Sequence, residues 1–165
     1  MSTDAIVLLK QDHKELRKLF REFESTKDDA ERKSELVATI IELLAVHTYI
    51  ENEVMYPRVR ELLPEVEDDI LESYEEHHVA DMLSVELYGM SADAERFDAK
   101  TTVLIENVSH HMEEEEQEWF PKVRAGLGRK HLIEIGEQML AAKEKAPRTP
   151  SAPSAVKKAI DAVLK

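Results

Sequence analysis

Two segments of this chain are written to one plan. HTYIENEVMYP occupies positions 47–57 and HMEEEEQEWFP positions 111–121, sixty-four residues on. Each opens with His, places Glu four residues later and closes with an aromatic residue followed by Pro, while the charges between vary freely. The same offset relates DHKELRKL, from Asp12, to EHHVADML, from Glu76, so that His77 matches His13 and Leu83 matches Leu19. The chain therefore reads as two related pairs of elements, and whatever holds it together has to accept the same chemistry twice.

Those elements are helices. Four glycines in 165 residues leave little turn chemistry for a sheet. Apolar residues recur at helical spacing over residues 4–23, 28–56, 65–90 and 91–120. Ser25 to Asp28 offer N-caps, Pro57 and Pro64 are expected to end the second helix, and Ser91, Asp93 and Glu95 read as the start of the fourth. Short connections favour antiparallel neighbours, which predicts an all-α, up-down-up-down four-helix bundle over residues 1–126. A shorter helix follows over 127–146. Residues 147–165 then shift composition: a Pro-rich linker precedes the short amphipathic segment AVKKAIDAVLK.

Composition removes several functions. The formal charge of −13 sets a repulsive field against nucleic acid, so none is expected as a partner. No apolar run approaches the roughly 18 residues of a membrane span, and stable membrane insertion is not expected. The expected location is the cytoplasm and the expected state a monomer or weak dimer. With no cysteine, any bound metal must be held by nitrogen and oxygen.

In a helix His47 and Glu51 lie one turn apart on one face, as do His111 and Glu115. Leu44, Ile40 and Met55 continue the first stripe, and Leu104, Val108 and Trp119 the second, so both pairs face inward. His13 is in phase with Ile6, Leu9, Leu16 and Phe20. On the third helix His77 is favoured by the repeat, although His78 has Leu71, Met82 and Val85 on its side. A lone His on an apolar face is commonly just a hydrogen-bonded core residue. Two buried carboxylates are different, because each costs several kcal/mol unless a cation compensates it. Within the run EEEEQE at 113–118 only Glu115 has the inward phase; the rest reads as a solvated face.

Four imidazoles and two carboxylates exceed one tetrahedral zinc and suit two octahedral ions bridged by both carboxylates. A bridging oxide or hydroxide would complete five positions on each ion and leave one open. Imidazole with carboxylate and no thiolate favours iron, with manganese the nearest competitor. Ferritin-like bundles take Glu-x-x-His from two helices; here that spacing occurs once, at Glu75 and His78.

With DH at 12–13, HTYIENEVMYP, EEHH at 75–78 and HHMEEEEQEWFP at 110–121, residues 1 to about 125 resemble the bacterial hemerythrins with an HHE cation-binding domain. The resemblance implies a four-helix bundle holding a non-heme di-iron centre on His13, His47, Glu51, His77, His111 and Glu115. Members bind or sense oxygen or iron, or act on peroxide or nitric oxide. Oxygen carriers of the family would have His-x-x-x-His on the third helix and His-x-x-x-x-Asp on the fourth. Here Ser73 precedes and Asp81 follows His77 by four, so the fifth histidine is missing. Tyr74 and Asp81 are candidates to fill its place or support the ligands, with His78 and His110 more distant. The expected partner is a small diatomic molecule or peroxide. Peroxide handling, with catalase-like turnover, is the favoured role; oxygen carriage or sensing, or an iron-responsive binding module without turnover, is the alternative.

Overall fold

The structure, a computed structural model, describes residues 3–150; the amphipathic tail lies outside them. Helix α1 (Ala5–Ser25) is followed by α2 (Ala30–Ile50), which passes through a π-helical turn (Glu51–Met55) into α3 (Tyr56–Leu62). A 3₁₀ turn at Pro64–Val66 leads to α4 (Glu67–Tyr88). Helix α5 (Phe97–Glu114) passes through a second π turn (Glu115–Trp119) into α6 (Phe120–Lys143). With α2 and α3 as one path, and α5 with the start of α6 as another, four main helices form an all-α bundle.

Local chemistry sets the boundaries. Asp4 caps α1, its carboxylate accepting from the amides of Ile6 (2.9 Å) and Val7 (3.1 Å), and Arg124 of α6 donates to both its oxygens. The cap of α2 is Asp29, one residue beyond the expected stretch, accepting from the Arg32 amide at 3.0 Å. Helix α5 begins at Phe97 rather than Ser91: the Ser91 hydroxyl accepts from the Asp93 amide and successive turns follow, until Phe97 finds the core.

Pro57 does not end the second helix. A proline ring lacks an N–H and clashes with the carbonyl four residues back, so the ladder widens just before it. The Tyr56 amide donates to the Glu51 carbonyl, five residues back, and the Phe120 amide donates likewise to Glu115 ahead of Pro121. The path then ends at Leu63, before Pro64. Helix α6 bends where Gly128 adopts φ 75°, a left-handed conformation costly to other residues. Beyond the bend α6 continues to Lys143.

The interior is two apolar clusters. One gathers Ile6, Leu9, Ile50, Met55, Val59 and Ile70 with Trp119, Phe120 and the end of α6. The other gathers Leu16, Phe20, Ile40, Leu44, Leu104 and Val108. Along α1 the break between them falls at His13, and along α2 at His47. The polar residues therefore form a layer across the middle of the bundle.

Helix α6 closes on the N-terminus at Gly136, where an added Cβ would stand 1.5 Å from the Thr3 carbonyl oxygen and 3.0 Å from the Ala5 amide. Because these neighbours are backbone, Gly136→Ala is expected to lower stability by about 1–3 kcal/mol, read by urea unfolding. An unchanged midpoint would show that α6 docks without this contact.

Candidate metal centre

The six expected ligands meet in that layer. His13, Glu51 and Glu115 are fully buried, and His47, His77 and His111 are no more than 5% exposed. They form two groups of convergent donors: His13, His47, Glu51 and Glu115 in one, and Glu51, His77 and His111 in the other. Each carboxylate reaches into both halves. Glu115 Oε1 lies 3.3 Å from His13 Nε2 and 3.3 Å from His111 Nε2. Glu51 Oε1 contacts His47 Nε2 and lies 3.9 Å from His77 Nε2. Either carboxylate could therefore serve a cation held in either half.

The donors fit a cation. Among the described residues, His13 Nε2, His47 Nε2, both Glu51 oxygens and Glu115 Oε1 are buried without a hydrogen-bond partner. His77 Nε2 and His111 Nε2 converge to 3.1 Å, each offering an imidazole nitrogen to the same point. Unpaired acceptors at such depth are costly, and a positive ion satisfies them together.

Electrostatics without a metal show the strain. Burial and the neighbouring Glu51 carboxylate push the Glu115 carboxyl well above its ordinary range. Burial also works against charge on Glu51, but His47 in contact, with His77 nearby, outweighs it and holds that carboxyl well below the usual value. Desolvation presses His77 down to about 3, although Glu51 opposes it. Two carboxylates this close share one proton until a cation replaces it.

A second layer aims the imidazoles, and it follows the same repeat. Asp12 Oδ2 lies 2.9 Å from His47 Nδ1, and Glu76 Oε1 lies 3.1 Å from His111 Nδ1. Asn52 Oδ1 lies 2.8 Å from His77 Nδ1, and Glu116 Oε1 lies 3.7 Å from His13 Nδ1. Hydrogen-bonded oxygen at the Nδ1 of His47, His77 and His111 leaves their Nε2 lone pairs for the centre, while at His13 the Glu116 carboxylate stands near Nδ1 without a hydrogen bond. Glu116, read from sequence as part of a solvated face, instead stands beside His13 and is gripped by Arg17. Its signal was the sixty-four residue offset from Asn52, applied to the residue after each inward-facing Glu.

The most consequential residue missed is Tyr56. Its hydroxyl donates to Glu115 Oε2 at 3.0 Å and lies 3.2 Å from His77 Nε2 and 3.3 Å from His111 Nε2. An α-helical count from Glu51 selects Met55 as the next inward residue; the π turn adds one residue and brings Tyr56 into phase. Burial, with Glu115 and Glu51 nearby, raises its phenol well above the ordinary value, so it holds its proton in the metal-free protein.

The other candidates lie farther out. The Tyr74 ring packs edge-on against Tyr56 at 5.3 Å, and its hydroxyl is 3.5 Å from the Asn52 carbonyl oxygen. Asp81 is partly buried and belongs to neither donor group. His78 belongs to none of the donor groups, and its Nδ1 is buried without a hydrogen-bond partner. His110 is 66% exposed beside Glu114, where Glu76 completes a third, outer set of donors.

Metal loading is expected to raise thermal stability, since the ligands come from four helices and binding a cation to the folded state adds about 4 kcal/mol at a thousandfold excess over Kd. Equal melting of stripped and loaded protein would make these residues a plain polar core. Burial lifts the Asp81 carboxyl to about 6, above its unfolded value, so its cost grows as pH rises from about 4 to 6 and is then constant. Asp81→Asn should therefore melt higher than the native protein above pH 6 and equally near pH 4. A gap independent of pH would refute that assignment.

Comparison with known proteins agrees with this geometry. The hemerythrin HHE cation binding domain profile matches residues 4–123. A solved structure of a hemerythrin HHE cation binding domain-containing protein from Mycobacterium kansasii superposes with a TM-score of 0.72 at 21% identity, covering 86% of each chain. A curated protein from Nostoc sp. (strain PCC 7120), described as a DNA nickase, is 28% identical over 138 residues; the match takes in 84% of this chain and 38% of that protein. The fold, the buried donors and the extent of the profile match lead to one conclusion: this chain belongs to the hemerythrin HHE cation-binding domain family.

Proposed function

We propose that this chain is a non-heme di-iron protein that disproportionates peroxide. The observation that carries the reading is the Tyr56 hydroxyl, a buried proton-bearing group directed at Glu115 between His77 and His111, in a centre that lacks a fifth histidine. His13 and His47 would hold one ion, His77 and His111 the other, with Glu51 and Glu115 shared. The absence of thiolate and the imidazole–carboxylate set favour iron over manganese. Two bound irons would supply the two-electron exchange by which one peroxide becomes O₂ and a second becomes two waters.

The chain's own contribution is positioning and protons. The first peroxide releases two protons and the second consumes two, so a group able to give and regain one beside the open position speeds both halves. Tyr56 Oη, hydrogen-bonded to Glu115 Oε2, stands where that exchange is needed. The apolar clusters above and below limit water at the site. No helix among the described residues is long and apolar enough to cross a membrane; action in the cytoplasm as a monomer or weak dimer is part of the same proposal. DNA nicking is left with the Nostoc relative: the match spans 38% of that protein, and a chain of net charge −13 is ill suited to polyanions.

Iron-loaded protein is expected to evolve oxygen from hydrogen peroxide. His111→Ala should abolish this, and Tyr56→Phe should retain two irons while slowing turnover by about 10²-fold, the range of a lost proton donor. A stable, reversible oxygen complex with no peroxide turnover would transfer the assignment to oxygen carriage.

A further inference from the structure

Among the residues that touch the imidazoles, the repeat relating the two halves of the centre changes chemical character at two positions. Position 56 is Tyr and its counterpart 120 is Phe; position 52 is Asn and its counterpart 116 is Glu. Phe120 stacks on His13 at 6.0 Å with its ring nearly parallel, and brings no donor. Tyr56 stacks on His77 at 5.3 Å and places its hydroxyl among the ligands. The imidazole supports differ in the same sense. His13 and His47 each face a carboxylate, Glu116 and Asp12, whereas His111 faces Glu76 and His77 faces the neutral amide of Asn52.

An anion at Nδ1 makes the opposite nitrogen a stronger donor to a cation, and a neutral amide does so less. A hydroxyl lodged among His77, His111 and Glu115 competes further for the space a cation would take. We propose that Glu116 and Asn52 set the two metal positions apart: the His13–His47 position retains its ion, and the His77–His111 position exchanges its own. Glu116 and Asn52 act through the imidazoles and are positioning residues. The inference rests on the two-metal reading of the site but not on peroxide turnover. Arg17 Nη1, donating to Glu116 Oε1 at 3.2 Å, keeps that carboxylate turned toward His13.

The test is anaerobic titration of metal-stripped protein with cobalt(II), following the ligand-field absorbance of each step. Native protein should fill in two resolved steps, His77→Ala keeping the tighter and His13→Ala the weaker. Glu116→Gln should weaken the tight step about tenfold or more without moving the weak one, and Glu116→Asp should restore it. Asn52→Asp should tighten the weak step by a similar factor. A purely structural role for either residue would move both steps together, alongside a loss of thermal stability in the stripped protein. Two equal steps in the native protein, or variants that shift both steps alike, would overturn the proposal while leaving the two-metal centre standing. Failure to bind two equivalents would overturn both.

Discussion

Everything in this bundle is arranged around the burial of two carboxylates. Glu51 and Glu115 are fully enclosed and within reach of four imidazoles, between two apolar clusters from which the Tyr56 hydroxyl donates to Glu115. Such a layer is expensive in a protein of ordinary marginal stability. A cation that gathered the unpaired atoms would offset this cost and would tie the four helices at one level by ligand bonds as well as by packing. Helical bundles of this size do not need a polar middle to fold, so its presence is a functional statement.

Both π turns serve that layer. A regular α-helix from Glu51 would turn Met55 toward the next point inward and leave Tyr56 off the face. The wider turn ahead of Pro57 delays the phase by one residue, and the aromatic side chain comes to rest against the imidazoles. At Phe120 the same device produces a stacked ring on His13. The aromatic–Pro ending shared by the two segments is thus one backbone instruction used twice, with the hydroxyl supplied on one side alone. Outside the ligands the repeat continues into Asp12 with Glu76 and Asn52 with Glu116, which explains why residues adjacent to the ligands matter as much as those at helical spacing.

The chain's family relationship sets the fold and its capacity for cations, while the proposed chemistry at the centre rests on departures from the oxygen-carrier pattern. Ser73 stands where a carrier would place its fifth histidine, and no imidazole is provided from that turn. The oxygen that approaches the His77–His111 pair instead arrives from Tyr56, on the neighbouring helical path. A pocket closed by a phenol can hold or surrender a proton where an imidazole ligand would chiefly occupy coordination space.

Sequence alone was sufficient for the helices, the bundle and the inward face of the six candidate donors, because helical periodicity and the sixty-four residue offset are properties of spacing along one strand of chain. His77 could be preferred to His78 by that offset when periodicity left both open. What only the tertiary structure decided depends on where spacing ceases to be regular or where partners come from different helices. The inward turn of Tyr56 requires a ladder widened before Pro57, which a fixed step of 3.6 residues misplaces. Glu116 looks like one of four acids on a wet face until α1 brings His13 and Arg17 against it. Asp81 and Tyr74, one turn either side of His77 in phase terms, were equal candidates on paper; packing placed one outside both donor groups and the other behind Tyr56. Periodicity assigns a side chain to a face, and only the packing of the facing helices determines which atom that face meets.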